Sequence, residues 1–330
     1  MAGQQPTVVG QTTREYLRKF PAASTKSLAR MLRKSEPALY KTVEDARASV
    51  NYYRGKCGAR HRARSERAQT LIPKLTLPDA RPEHYQVVNL PEGVGRWLIL
   101  ADAHIPYHDR RTIHAVVKWA KEPENHCDGL ILLGDIFDCY AMSSWLKDPR
   151  EVDFPGELEA GKQFLSYLAE QLKPKCQVWK LGNHEYRLDR YLMSRAPELF
   201  GMEQFTIAGF LDAEKRGIQI VQWPNPLRYH ALTLLHGDEW GRGASNLVNP
   251  ARTAFLRTHD CTIVGHFHQT SEHTEKTARD TTITCWSVGA LCGLHPLYHP
   301  MNKWNHGFAV LNTRGNWRVE NHRIIDGEVR

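Results

Sequence analysis

Five short apolar runs in this chain end in side chains able to bind a metal or move a proton. Residues 97–101 (WLILA) lead into Asp102-Ala103-His104, and 130–133 (LILL) into Gly134-Asp135. Residues 178–181 (VWKL) lead into Gly182-Asn183-His184-Glu185, and 231–235 (ALTLL) into His236-Gly237-Asp238. Residues 262–264 (TIV) lead into Gly265-His266-Phe267-His268. A short apolar run of this kind reads as a buried strand. The polar residue just past its end then lies on the sheet rim where ligands of open α/β sheets gather. Aspartate, asparagine and histidine donors suit borderline divalent ions such as Mn²⁺, Fe²⁺ or Zn²⁺. In Asp-x-His and His-x-His, alternate residues of an extended chain point to one side. Glycines at 134, 182, 237 and 265 let backbone come close to bound ions.

The elements between these runs predict how they are held. Residues 110–121 and 156–173 carry amphipathic helical patterns, giving strand, helix, strand, helix. Residues 217–224, 229–236, 281–288 and 307–325 read as strands, the last broken by a hairpin turn at Thr313-Arg314-Gly315-Asn316. The expectation is an α/β fold: two sheets face to face with helices outside.

The first 67 residues have a different texture. Residues 1–12 read as polar and disordered. Leu28, Ala29, Met31 and Leu32 form one helical stripe, with Thr25 or Ser27 as its cap. Val43, Ala46, Val50 and Tyr53 form a second. Two helices with a short break fit a small all-α, helix-turn-helix-like module over residues 1–67. Residues 68–95 read as a proline-bearing linker and 96–330 as the main domain. Residues 1–81 hold 17 Lys and Arg against 6 Asp and Glu, a net of +11, and the rest nets −3. Such an imbalance favours a polyanionic partner. Lys41, Arg47, Tyr52 and Arg54 on or beside the second helix, with Arg60, Arg62 and Arg64 beyond it, are the candidate nucleic-acid contacts.

Composition excludes other classes. With 41% hydrophobic and 24% charged residues the chain can build an ordinary core. No run approaches a membrane span, and the N-terminus lacks a secretory pattern. Seven scattered cysteines, never in a C-x-x-C pair, fit reduced thiols in a cytoplasm.

Taken together and in order, Asp102-x-His104, Gly134-Asp135-x-x-Asp138, Gly182-Asn183-His184-Glu185, His236-Gly237 and Gly265-His266-x-His268 resemble the five blocks of the calcineurin-like metallophosphoesterase family. The resemblance covers residues 97–268. It implies a two-sheet αββα sandwich holding two divalent ions, with Mn²⁺ favoured and Fe²⁺, Zn²⁺ or Ni²⁺ as alternatives. It implies that Asp102, His104, Asp135 and His268 hold the first ion. Asp135, Asn183, His236 and His266 would hold the second, with Asp135 bridging. A hydroxide shared by the ions would attack phosphorus, His184 would protonate the leaving oxygen, and Asp138 would orient His184. The stretch Gly134–Tyr140 (GDIFDCY) lacks the Arg-Gly of the superfamily's phosphoprotein phosphatases. That places the resemblance nearer the bacterial and phage phosphodiesterase and nuclease branches. The expected activity is a nuclease or phosphodiesterase on DNA or RNA. The alternatives are a phosphomonoesterase on nucleotides or phosphoproteins, or a nucleic-acid-binding regulator with an inactive core.

Overall fold

The structure, a computed structural model, describes residues 7–55, 77, 79, 80, 84–241 and 248–330. The chain divides into two compact units, Met1–Pro82 and Glu83–Arg330.

Among its described residues the first unit holds three helices, α1 (Val8–Lys19), α2 (Thr25–Ser35) and α3 (Val43–Arg54). Each starts at a side-chain cap: Thr7, Ser24 and Thr42, the last closing a capping box with Asp45. Leu28, Ala29, Leu32, Tyr40, Ala46 and Val50 are fully buried between them. Two sequence expectations fail here. The α2 cap is Ser24, not Thr25 or Ser27, and a helix already begins at Val8 where disorder was expected. The stripe of α1 (Val9, Tyr16, Leu17) is hidden in sequence because its centre is a threonine. The Thr13 hydroxyl is buried at no cost: it donates to the Val9 carbonyl at 2.8 Å and meets Tyr40 Oη at 2.7 Å and Ser49 Oγ at 2.6 Å. Arg60, Arg62 and Arg64, and residues 68–76, 78 and 81–83 of the expected linker, lie outside the described residues.

The second unit has the expected α/β architecture. Its strands are β1 (Val88–Asn89), β2 (Arg96–Leu100), β3 (Gly129–Leu133), β4 (Cys176–Lys180), β5 (Ile218–Val221), β6 (Leu227–Tyr229) and β7 (Leu232–Leu235). Then come β8 (Cys261–Val264), β9 (Ser271–Lys276), β10 (Thr282–Ser287), β11 (His306–Asn312), β12 (Arg318–Ile325) and β13 (Glu328–Val329). They form a seven-stranded sheet in the order β13-β12-β11-β2-β3-β4-β5 and a six-stranded sheet in the order β1-β6-β7-β8-β10-β9. The helices are α4 (Arg110–Ala120), α5 (Phe154–Leu172), α6 (Tyr186–Arg195), α7 (Ile207–Phe210) and α8 (Pro250–Thr258).

Strand alternation sorts the side chains into layers. From β2, Trp97 and Ile99 enter the core between the sheets, with Ile131, Leu133, Leu234 and Ile263. Leu98 and Leu100 point the other way, onto Val116 and Val117 of α4 and Phe164 and Leu168 of α5. Ala251 and Ala254 of α8 cover Val264 and Cys285 on the outside of the six-stranded sheet. Each such buried aliphatic side chain contributes about 1.5–3 kcal/mol over an exposed one.

Register is what brings the site together. The central strands β2, β3 and β4 run parallel with Leu100 opposite Leu132 and Leu133 opposite Lys180. In the other sheet β7 and β8 run parallel with Leu235 opposite Val264. The strands therefore finish nearly level, and the residues that follow them share one rim in each sheet. No helix among the described residues is long and apolar enough to cross a membrane.

Candidate metal centre

All five post-strand segments converge at this double rim. Asp102 and His104 follow β2, Asp135 follows β3, Asn183 and His184 follow β4, His236 follows β7, and His266 and His268 follow β8. His104 Nε2 and His268 Nε2 are 3.1 Å apart, and His268 Nε2 is 3.3 Å from Asp102 Oδ1. His236 Nε2 is 3.0 Å from Asp135 Oδ2, yet is not aligned for a hydrogen bond. Ligating atoms of His104, Asp135 and His184 lie within 4.8 Å of one another, as do those of Asp135, His236 and His266. Asp135 thus belongs to both groups.

The extended-strand argument for Asp-x-His and His-x-His does not describe how this is done. Asp102 (φ 54°), His104 (47°), Asp135 (50°), His266 (64°) and His268 (54°) all have left-handed backbone. Five of seven candidate ligands in a conformation that non-glycine residues rarely adopt is strain gathered at one place. Loop bonds hold it there. The Asp102 carboxylate accepts the His266 N–H at 2.9 and 3.1 Å, joining the two sheets. Asp135 Oδ1 accepts the His184 N–H at 2.8 Å. Gly134 (φ 84°) and Gly182 are needed for close approach: a Cβ on the first would meet the His236 ring, and on the second the Asp135 carboxylate.

Beneath the rim, two acids organise the loops. Glu185, left without a role by the sequence, accepts four backbone amides: Asp135 (3.0 Å), Ile136 (2.7 Å), Phe137 (3.0 Å) and Gly182 (2.8 Å). Burial, then the nearby Asp135 charge, push its carboxyl up to about 6 despite those donors. Glu239 accepts the amides of His236 (3.0 Å) and Gly237 (2.7 Å) and pairs with the wholly buried Lys180 at 2.7 Å.

His184 Nδ1 lies 3.1 Å from both the Asp138 carbonyl and Asp138 Oδ1. Arg187 Nη2 lies 2.8 Å from His184 Nε2, and Arg187 Nη1 donates to the Asp138 carbonyl at 2.8 Å. With Arg187 donating, Nε2 carries the lone pair and Nδ1 the proton, a tautomer assigned from the network. Burial lowers the His184 pKa, which Asp135 only partly offsets. Burial opposes ionisation of Asp138, but the rings of His104 and His184 outweigh it and hold this carboxyl well below the ordinary range.

Buried Asn183 Oδ1, His236 Nε2 and His266 Nδ1 have no hydrogen-bond partner among the described residues. An orphaned buried polar atom costs about 1–3 kcal/mol, so three of them, two grouped with the Asp135 carboxylate, fit a place for cations. The donor set of imidazole, carboxylate and amide oxygen suits Mn²⁺, Fe²⁺ or Zn²⁺.

Sequence reasoning missed several neighbours. Arg187 could have been found, three residues past His184 and so on the same face of an emerging helix. Cys292 Sγ, 3.9 Å from His268 Nδ1, left no signal. Trp304 packs edge-on to His268 with ring centroids 4.1 Å apart, while Trp286 is core. In the first unit, Arg47 is 3.4 Å from Glu44, Arg54 donates to the Pro21 carbonyl at 3.1 Å, and Lys41 and Tyr52 are exposed.

No protein-family model matches the chain. It is 26% identical over 234 residues to the gene 54 protein of Mycobacterium phage L5, covering 67% of this chain and 89% of that protein. It is 27% identical over 238 residues to the gene 54 protein of Mycobacterium phage D29, covering 67% and 90%. Among solved structures, it is similar to Vps29 from Entamoeba histolytica complexed with zinc (10% identity, TM-score 0.37, 71% of this chain and 96% of that one). It is also similar to a dimetal phosphatase from Danio rerio (13% identity, TM-score 0.33, 71% and 97%).

Proposed function

We propose that this protein is a metal-dependent phosphoester hydrolase of the calcineurin-like type, acting as a nuclease or phosphodiesterase on DNA or RNA. What supports the reading is that ligating atoms of His104 and His184 and of His236 and His266 gather on the Asp135 carboxylate, with Asp102 and His104 beside His268; Asn183, which follows β4 at the same rim, completes the proposed ligand set. Two divalent ions, Mn²⁺ by preference, would be held there as the family resemblance implies. When bound, such a pair polarises phosphate oxygens and lowers the pKa of water.

The chain's own residues do the rest. Asp135, between the two groups, screens the repulsion of two cations. His184 faces the cavity, with its Nδ1 side held by Asp138. Once Arg187 has left Nε2, that nitrogen takes up a proton from solvent, and the imidazolium, held at Nδ1 by Asp138, gives this proton to the leaving ester oxygen. A phosphate oxygen is a better partner for the guanidinium than a neutral imidazole, so substrate itself draws Arg187 away. The N-terminal segment carries the basic residues that would meet such a substrate: Lys41, Arg47 and Arg54 among the described residues, and Arg60, Arg62 and Arg64 further along the sequence. These would add salt-sensitive affinity for the phosphate backbone.

The test is a substrate panel with Mn²⁺: single-stranded DNA, and a chromogenic phosphomonoester. Cleavage of DNA is expected, and cleavage of the monoester alone would end the nuclease reading. Asp135→Ala should lose bound metal by elemental analysis. Unchanged metal content would overturn the shared-carboxylate assignment.

A further inference from the structure

In front of the candidate metal centre lies a cavity of about 1480 Å³. Small-molecule sites occupy roughly 300–1,000 Å³, so this one has room for more than a phosphate and one substituent. Asp138, His184, Arg187 and His266 form its floor. Its walls come from two distant segments, one preceding α5 and the other preceding β11. The first brings Trp145 and Leu146; the second brings Tyr298, Met301 and Trp304.

Four of these are large apolar side chains held out in solvent: Trp145 is 78% exposed, Leu146 100%, Tyr298 79% and Met301 92%. Apolar groups gathered at the mouth of a cavity with a charged floor mark a binding surface. Trp304 ties the second wall to the metal centre, edge-on to His268, with Tyr298 6.5 Å beyond it by ring centroids. The charges around the cavity are selective too. Arg187 and Lys303 are its lysine and arginine, and Asp138 is the one carboxylate among the described lining residues, already bonded to Arg187. The cavity therefore asks for an anion carrying flat apolar groups on either side.

Resting on the phosphodiester reading above, we infer that Trp145 and Tyr298 are a stacking platform for the nucleobases that flank the scissile phosphate of a single-stranded nucleic acid. Every base offers a π-face to an aromatic ring, whatever its sequence. In a duplex those faces are covered by neighbouring bases, so this platform selects single strands. An alkyl chain would gain nothing from ring planarity, which argues against a lipid occupant. Trp145 and Tyr298 are thus specificity residues, and neither reaches the reacting atoms.

Two comparisons test this on the full-length protein with Mn²⁺. The first sets thymidine 5′-(p-nitrophenyl phosphate) against methyl p-nitrophenyl phosphate, which shares the leaving group and lacks the base. The base-bearing diester should gain about 5- to 100-fold in kcat/KM, mostly in KM, as expected for one stacked base. That gain should shrink in Trp145→Ala or Tyr298→Ala and persist in Tyr298→Phe. The second needs no turnover: calorimetric binding of thymidine 5′-monophosphate against 2-deoxyribose 5-phosphate and octyl phosphate. Thymidine monophosphate should bind tightest, and the two alanine variants should erase its advantage. Equal binding of the three anions, or an advantage surviving in both alanine variants, overturns the platform. Preference for octyl phosphate would assign the walls to lipid instead. Failure to cleave either diester would remove the phosphodiester reading, while the binding comparison would still decide the platform.

Discussion

Lys180→Met removes the nearest counter-charge of a buried carboxylate, Glu239. Lys180 is wholly buried, and its ammonium lies 2.7 Å from Glu239 Oε1, a side chain only 9% exposed. At an effective dielectric of about 20, the attraction between unit charges at that separation is about 6 kcal/mol. Desolvation of both partners offsets part of this, and removing one member of a buried pair typically costs about 3–5 kcal/mol. Glu239 would keep the amides of His236 and Gly237 but lose its counter-charge. Burial raises the pKa of Glu239, and Lys180, His236 and the Gly237 amide together outweigh that and leave it lowered, Lys180 being the largest of the three. Without Lys180 the direction should reverse, so the variant's deficit should shrink on acidification as Glu239 takes up a proton. Guanidinium unfolding at pH 8, read by tryptophan fluorescence, should show a loss of about 3–5 kcal/mol. The double variant Lys180→Met, Glu239→Gln should recover most of it. Because Glu239 holds the His236 amide, the single variant should also bind Mn²⁺ more weakly. A loss below about 1 kcal/mol, or a double variant no better than the single, would refute the claim that this pair clamps the His236 loop.

Three further outcomes are expected. Glu185→Gln turns one acceptor oxygen into a donor, leaving two of its four amides unsatisfied at about 1–3 kcal/mol each; hydrogen exchange at Asp135, Ile136, Phe137 and Gly182 should quicken, and unchanged protection at all four would be contrary evidence. Burial, which outweighs the bond from the Cys139 amide, raises Glu157 to about 7 from an ordinary 4.5. A raised carboxyl stabilises the fold fully below the ordinary range, and that contribution is lost as pH climbs from about 4.5 to about 7. Over this window the wild type should lose about 3 kcal/mol that Glu157→Gln does not, and parallel stability profiles would exclude the effect. Gly134→Ala forces a side chain onto left-handed backbone and into the His236 ring, so Mn²⁺ affinity should fall by about 10- to 100-fold, and unaltered calorimetric binding would contradict this.

Much of the site could be read from the chain because burial and chemistry alternate along it so sharply. Apolar runs such as 130–133 admit few conformations other than a buried strand. A ligand-type residue straight after each run had to emerge at a strand end. The α/β class, the helices near 110–121 and 156–173 and the hairpin at 313–316 followed from the same local patterns. Helix α1 did not, because Thr13 breaks its stripe and only the tertiary partners Tyr40 and Ser49 make that hydroxyl tolerable in a core.

The sequence alone determined which residue types stand at which strand ends, since that depends only on order along the chain. The tertiary structure decided that the ends of β2, β3, β4, β7 and β8 lie level and face one another, because strand register and sheet packing are set by contacts between residues far apart in the chain. It decided that the candidate ligands reach each other through left-handed turns and not extended chain, a strain that Glu185, Glu239 and the Asp102–His266 contact together hold in place. It also decided the cavity walls, because Trp145 and Tyr298, 153 residues apart in sequence, line one cavity only in the folded chain.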